Sequence, residues 1–262
     1  MPWFCFQCKQ ESIPALAEKE LFLHHITHVT LVEDSSQSLC LLYGQGDPAY
    51  FPHIWQHIVK VTPIAQEIDW SAQWRDFCPY LQEDLCRIPL RHFHTLSSQE
   101  LLLIPGGGFG DLSHPTTHLM LSLIGNHVQN KSVLDLGCGS GILSLASLLF
   151  GAHHAYAVDI DPKALAHTRE NSFLNNLQHL ISIETTPPSC HVDILLMNMT
   201  WGEQKEALSS LSRKDFSLWI VSGILTSQLG PYLAYLQTFP LRLRSIHTRD
   251  IWAACTLKMI VY

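Results

Sequence analysis

Short apolar runs alternate with stretches of helical spacing along most of this chain. In the first part, Trp3–Cys8 reads as a strand and Pro14–His24 as a helix with proline in its first turn. Ile26–Glu33 and Leu39–Tyr43 read as strands, parted by the turn-forming Asp34-Ser35-Ser36-Gln37-Ser38. Tyr50–Val61 has helical apolar spacing through Ile54, Ile58 and Val61. The order β-α-β-β-α is most of a ferredoxin-like split βαβ. Asp69–Phe77 then places Trp70, Trp74 and Phe77 on one side of a helix, as a wedge between two domains would. Leu85–Leu90 and Leu101–Ile104 read as short strands ahead of a glycine-rich loop.

From about residue 114 a doubly wound α/β pattern begins. Strands are expected at Ser132–Leu136, Ala155–Asp159, Leu180–Ile183, Val192–Met197, Ser217–Val221, Leu241–Ile246 and Ala253–Ile260, most of them separated by helical spacing. The last two have no room for a helix between them, so they are expected to form an antiparallel hairpin. The chain therefore divides into a small α+β domain at 1–65, a connector at 66–104 and an α/β domain at 105–262.

Composition narrows the classes. Of 262 residues, 47% are hydrophobic and 15% charged, enough to bury a real core and too apolar for a disordered chain. A net charge of −7 is not the footprint of a protein that grips nucleic acid by its phosphates, so no direct nucleic-acid partner is expected. No segment approaches the ~20 apolar residues that cross a bilayer, and the start lacks the basic and apolar regions of an export signal. The expectation is a cytoplasmic protein whose eight scattered cysteines are reduced. Cys5 and Cys8 form a lone C-x-x-C with no second pair at zinc spacing, and the sixteen histidines include no H-E-x-x-H, so no metal site is expected.

Residues 133–141, Val133-Leu134-Asp135-Leu136-Gly137-Cys138-Gly139-Ser140-Gly141, read as a strand and a tight glycine turn that open into a helix. Glycine there accepts positive φ and lets a ligand lie against the main chain without meeting a Cβ. One helix later, Ala155-Tyr156-Ala157-Val158-Asp159 ends a second strand on a carboxylate able to accept bonds from both hydroxyls of a ribose. Asp161 follows as a helix N-cap, with Pro162 as the first helical residue.

The spacing D-x-G-x-G-x-G resembles motif I of the class I S-adenosylmethionine (AdoMet) methyltransferases. Four further stretches resemble one family among them, the ribosomal protein L-eleven methyltransferases (PrmA-like enzymes). They are Phe109-Gly110-Asp111-Leu112-Ser113-His114-Pro115-Thr116-Thr117 for F-G-T-G-x-H-P-T-T, Gly141-Ile142-Leu143-Ser144 extending motif I, Arg169–Asn175 for R-x-N-A-x-x-N, and Ser222-Gly223-Ile224-Leu225 for S-G-[IV]-L. The resemblance implies a Rossmann-like class I sheet behind a small ferredoxin-like domain that recognises substrate. It implies AdoMet as cofactor, and as function the methylation of amine nitrogens on a ribosomal or translation-related protein, a large-subunit protein in particular. Carried over by position, Thr117 would touch the methionine end of AdoMet and Gly137 would pack beneath it. Asp159 would hold the ribose, Asn198 would close the site, and Asp135 and Gly139 complete the cofactor-binding set. The resemblance assigns no catalytic base. His114 could serve, or could shape the loop before its helix.

Two departures stand out. The family's T-G-x is Asp111-Leu112-Ser113 here, which removes a glycine and places a carboxylate beside the expected sulfonium site. Its N-I-L-A is Asn198-Met199-Thr200-Trp201, where Trp201 is bulky enough to narrow an acceptor channel. The absence of N-P-P-Y argues against methylation of glutamine or adenine amines. The alternatives are a non-catalytic AdoMet-binding interaction protein, for which the altered loop speaks, and a small-molecule methyltransferase.

Overall fold

A computed structural model describes residues 3–9, 30–34, 39–45, 58–64, 74–75, 78–95, 97–211 and 214–260. The chain divides into two compact units, Met1–Gln73 and Trp74–Tyr262. In the first, strands β1 (Trp3–Lys9), β2 (Thr30–Asp34), β3 (Leu39–Gln45) and β4 (Ile58–Ile64) form one antiparallel sheet in the order β2-β3-β1-β4. That is the strand order of the split βαβ, with β1 central between β3 and β4. The helix expected through Ile58 and Val61 is corrected: both residues lie in β4, paired against β1. The β-branched residues of Ile58-Val59-Lys60-Val61-Thr62 fit a pleated sheet better than a helix. The helix expected at Pro14–His24 lies outside the described residues, as do Trp70 and Phe77.

In the second unit, β5 (Leu81–Gln82), β6 (Leu85–Pro89) and β7 (Glu100–Leu103) form a three-stranded antiparallel sheet. After it come α1 (Pro115–Ile124), β8 (Ser132–Leu136), α2 (Ile142–Leu149), β9 (His154–Val158), α3 (Pro162–Leu174) and β10 (Ile181–Glu184). Next are β11 (Ile194–Asn198), α4 (Trp201–Ser210), β12 (Leu218–Leu225), α5 (Leu229–Leu236), β13 (Leu241–Arg249) and β14 (Trp252–Met259). Seven of these strands make one sheet in the order β10-β9-β8-β11-β12-β14-β13. The first five run parallel, and β14 enters antiparallel between β12 and β13, closing the sheet with the expected hairpin.

Strands β8 and β11 are almost wholly buried, as central parallel strands covered on both faces must be. Leu134, Leu136, Leu195, Met197, Trp219, Val221, Tyr232 and Leu257 lie in one continuous core. The order reverses between β8 and β11, both of which neighbour the glycine turn. Ligands of open α/β sheets bind beyond the carboxyl ends of the strands at such a switch point.

Candidate active site

The glycine turn is built on three backbone conformations that side chains resist: φ is +79° at Gly137, +56° at Gly139 and +81° at Gly141. Gly139 also needs the missing side chain for space, because a Cβ there would lie 2.6 Å from the Phe109 carbonyl oxygen. The turn is tied to β9 by Gly137 and Cys138, whose N–H groups donate to Val158 O at 2.8 and 3.0 Å. Asp159 sits half-buried just past β9. Its Oδ2 accepts from Gly139 N at 3.0 Å and its Oδ1 from Asp161 N at 3.0 Å, so the carboxylate is locked in place while each oxygen keeps a lone pair. Asp161 caps α3 by accepting from Lys163 N, as the sequence predicts.

Asp135 is wholly buried at the other end of the turn. Its Oδ2 accepts from Ser144 N at 3.0 Å and Ser144 Oγ at 2.7 Å, pinning the start of α2 to β8. Burial pushes its pKa up to about 6 against these two bonds.

The loop from Ile104 to His114 lies over the turn. Ser140 N donates to Phe109 O at 2.9 Å and Ser140 Oγ to Gly110 O at 3.1 Å. Helix α3 holds this loop from below through a polar face that sequence reasoning assigned no task. His167 Nε2 donates to Ile104 O at 2.8 Å while its Nδ1 accepts from Gly108 N at 3.1 Å. Asn171 accepts from Ile104 N and donates to Ser140 O, each at 2.9 Å, and so joins loop and turn directly. Asn175 closes on both backbone groups of Leu102. The signal was available: three uncharged polar residues at i, i+4 and i+8 fall on one helix face. Trp74 packs edge-on to His167 at 5.9 Å, so it lies inside the second unit.

Asp111 does not extend a free carboxylate. Its Oδ1 accepts from Ser113 N at 2.9 Å and Ser113 Oγ at 2.6 Å, closing a turn in which Leu112 takes φ +68° with its side chain fully buried. A left-handed conformation that favours glycine is thus adopted by leucine, and burial offsets the backbone cost. His114 is the N-cap of α1: its Nδ1 lies 3.3 Å from Thr116 N, and its ring packs against Phe109 and Trp252. Burial drops its pKa to about 3, so the ring is neutral at neutral pH, and its contacts anchor the loop.

At the end of β11, Asn198 stands opposite Ser222 of β12. Gly223, at φ +90°, bulges that strand and lets the main chain of Met199 approach, where a Cβ would collide with Met199 O. The Met199 side chain reaches back until its Cε lies 2.5 Å from the position a Gly137 Cβ would take.

Among the described residues, five buried side-chain polar atoms lack a partner: Thr117 Oγ1, Asp135 Oδ1, Asn198 Oδ1, Trp201 Nε1 and Trp219 Nε1. Trp219 belongs to the core. The first three belong to residues singled out from the sequence as ligands. Buried polar atoms almost always find a partner, so a polar group that reaches this turn would find unused donors and acceptors. Two apolar side chains missed from the sequence flank it: Ile160, 85% exposed directly after Asp159, and Phe109, 39% exposed on the loop. Among the described residues no group of His, Cys, Asp or Glu could hold a metal ion, and no helix is long and apolar enough to cross a membrane.

The profile of the family "Ribosomal protein L11 methyltransferase (PrmA)" matches residues 48–259. A ribosomal protein L11 methyltransferase of Marinobacter nauticus is 38% identical over 213 residues, covering 77% of this chain and 71% of that protein. One of Alteromonas mediterranea is 35% identical over 179 residues, and this chain spans only 61% of its length. The crystal structure of a ribosomal protein L11 methylase from Lactobacillus delbrueckii subsp. bulgaricus superposes with a TM-score of 0.53 at 26% identity, covering 60% of this chain and 83% of that one. The chain belongs to the ribosomal protein L11 methyltransferase family.

Proposed function

We propose that this chain is an AdoMet-dependent protein methyltransferase that methylates amine nitrogens of ribosomal protein L11 or its counterpart. The observation that carries this reading is the set of unpartnered buried atoms on Thr117, Asp135 and Asn198 around a glycine turn, in a member of this family. The fit is chemical as well as positional. Asp159 presents acceptor lone pairs beside the turn for ribose hydroxyls, and the exposed Ile160 offers an apolar surface for a base. Gly137 and Gly139 supply the positive φ that the turn needs, with the Met199 methyl and the Phe109 carbonyl filling the space a side chain would take. Thr117 Oγ1 and Asn198 Oδ1 serve the opposite end, where a sulfonium and an incoming amine both need acceptors.

When bound, AdoMet supplies a methyl group on sulfur that is already activated for in-line displacement by an amine. The protein's part is then alignment and exclusion of water, which can supply up to ~7–11 kcal/mol of the barrier. A lysine acceptor, with a reference pKa of ~10.4, must lose its proton before attack. A desolvated mouth favours the neutral amine, so the ammonium gives its proton to bulk water before it enters, with Asn198 Oδ1 accepting one remaining N–H. The segment Asp111–Ser113 is a closed hydrogen-bonded turn, so it lends no support to a non-catalytic reading. We assign substrate recognition to residues 1–65 and cofactor binding to the α/β domain.

Titration of the full chain with AdoMet by calorimetry tests the cofactor half of the proposal. Saturable one-to-one binding is expected, and no heat at millimolar ligand would rule it out.

A further inference from the structure

Gln204, in the first turn of α4, is completely buried, and methyl transfer as described so far gives it no role. Its Nε2 donates to Met199 O and to Ser222 O, each at 2.9 Å. Its Oε1 accepts from the hydroxyl of Tyr232 on α5 at 2.5 Å. Tyr232 is itself buried, and its O–H fixes which way the amide faces, with oxygen toward α5 and both N–H groups toward the two carbonyls. Every hydrogen of the side-chain amide is used.

The two carbonyls sit on either side of the acceptor end of the site. Met199 follows Asn198 directly, and Ser222 is the register partner of Asn198 across β11 and β12. Ser222 is anchored in turn by its Oγ, which donates to Ala253 O of β14 at 2.9 Å. The Met199 main chain lies against Gly223 and its methyl against Gly137. One side chain thus ties α4, α5, the end of β11 and the bulge of β12 around Asn198. The ribose end is held by other bonds: Asp159 to Gly139, and Asn171 between loop and turn.

We propose that Gln204, oriented by Tyr232, is a positioning residue for the methyl acceptor, acting through Asn198 and Met199. The inference rests on the methyltransferase reading and deepens it. Because the clamp bears on Asn198 and Met199 and not on the bonds that hold the ribose end, its loss should slow transfer far more than it weakens cofactor binding.

The test compares the full-length parent with Gln204→Met, Gln204→Glu and Tyr232→Phe, measuring AdoMet affinity, melting temperature and kcat on purified ribosomal protein L11. Gln204→Met keeps the volume and removes the donors, so kcat is expected to fall about tenfold while AdoMet affinity stays within about twofold. Tyr232→Phe frees the amide to turn and should lose about threefold in kcat with little change in melting temperature. Melting temperature, read at each pH of the activity profile, separates positioning from bulk stability. In Gln204→Glu the introduced carboxylate, when ionised, has no hydrogen for either carbonyl. When protonated it has one, so activity of this variant relative to the parent should rise as pH falls. Parent-like kcat in all three variants overturns the inference. A joint fall of kcat and AdoMet affinity, tracking lost folded protein, also overturns it in favour of a purely structural role. A parent that binds no AdoMet overturns the underlying reading and this inference with it. A parent that binds and transfers beside unaffected variants overturns the inference alone.

Discussion

Asp135 carries an unusual load for one side chain: a carboxylate fully buried, with one oxygen doubly bonded to Ser144 and the other bare. Burial raises its pKa from 3.8 to about 6, with a smaller push from the charge of Asp159. Between those values the folded protein holds a proton that the unfolded chain has released. The contribution to stability is therefore full below the unfolded pKa and is lost as pH rises through about 6. At ~1.4 kcal/mol per unit, roughly 2–3 kcal/mol is at stake. His114 works in the opposite sense: its pKa is depressed to about 3, so its contribution is lost as pH falls. Comparing Asp135→Asn with the parent isolates the first effect. Urea denaturation at pH 4.5 and pH 7.5 should show a stability difference between the two proteins that changes with pH, and a constant difference would contradict the assignment. Two neighbours make simpler claims. Asp159→Ala should weaken AdoMet binding by about 1.5–3 kcal/mol in calorimetry, the value of charged hydrogen bonds. Leu112→Gly relieves φ +68° but empties a buried site, and should lower stability by about 1–3 kcal/mol. A gain in stability on that change would show that the strained turn dominates.

At the scale of elements, the glycine turn was legible because its chemistry is local. Three glycines after an apolar strand, and an acid one helix later, impose a strand-turn-helix whatever surrounds them. Strand β4 was not legible as a strand, because Ile54, Ile58 and Val61 fit a helical repeat while Lys60 and Thr62, both exposed, fit a pleat equally well. The pairing with β1 decides between them, and pairing is not a local property. The stripe of His167, Asn171 and Asn175 on α3 was hidden for a related reason: its partners are main-chain groups of Leu102, Ile104 and Gly108, far earlier in the chain. Of the six residues expected to bind cofactor, Asp135, Gly137, Gly139, Asp159 and Asn198 lie at or just beyond the carboxyl ends of β8, β9 and β11, and Thr117 lies in the first turn of α1. The sequence could not foresee that Asp111 would close on Ser113, because both a free carboxylate and a capped turn suit that spacing. The α3 stripe yields its own prediction. Asn171→Ala leaves Ile104 N and Ser140 O without a partner, which should cost about 2–4 kcal/mol of stability and weaken AdoMet binding. Unchanged melting and affinity would mean that the loop holds the turn unaided.

For the whole molecule, the proposed division of labour assigns AdoMet to the α/β domain and the protein acceptor to the N-terminal domain. A chain truncated to begin near residue 66 should bind AdoMet with parental affinity and fail to methylate ribosomal protein. A truncated chain that folds and binds no AdoMet would break that division. The central claim is methyl transfer itself, and intact-mass spectrometry of purified ribosomal protein L11, incubated with the full-length chain and AdoMet, reads it most directly. Mass gains in whole methyl units on amine nitrogens are expected, absent without AdoMet and sharply reduced with Asp159→Ala. An unchanged L11 mass, with AdoMet demonstrably bound, would contradict that claim.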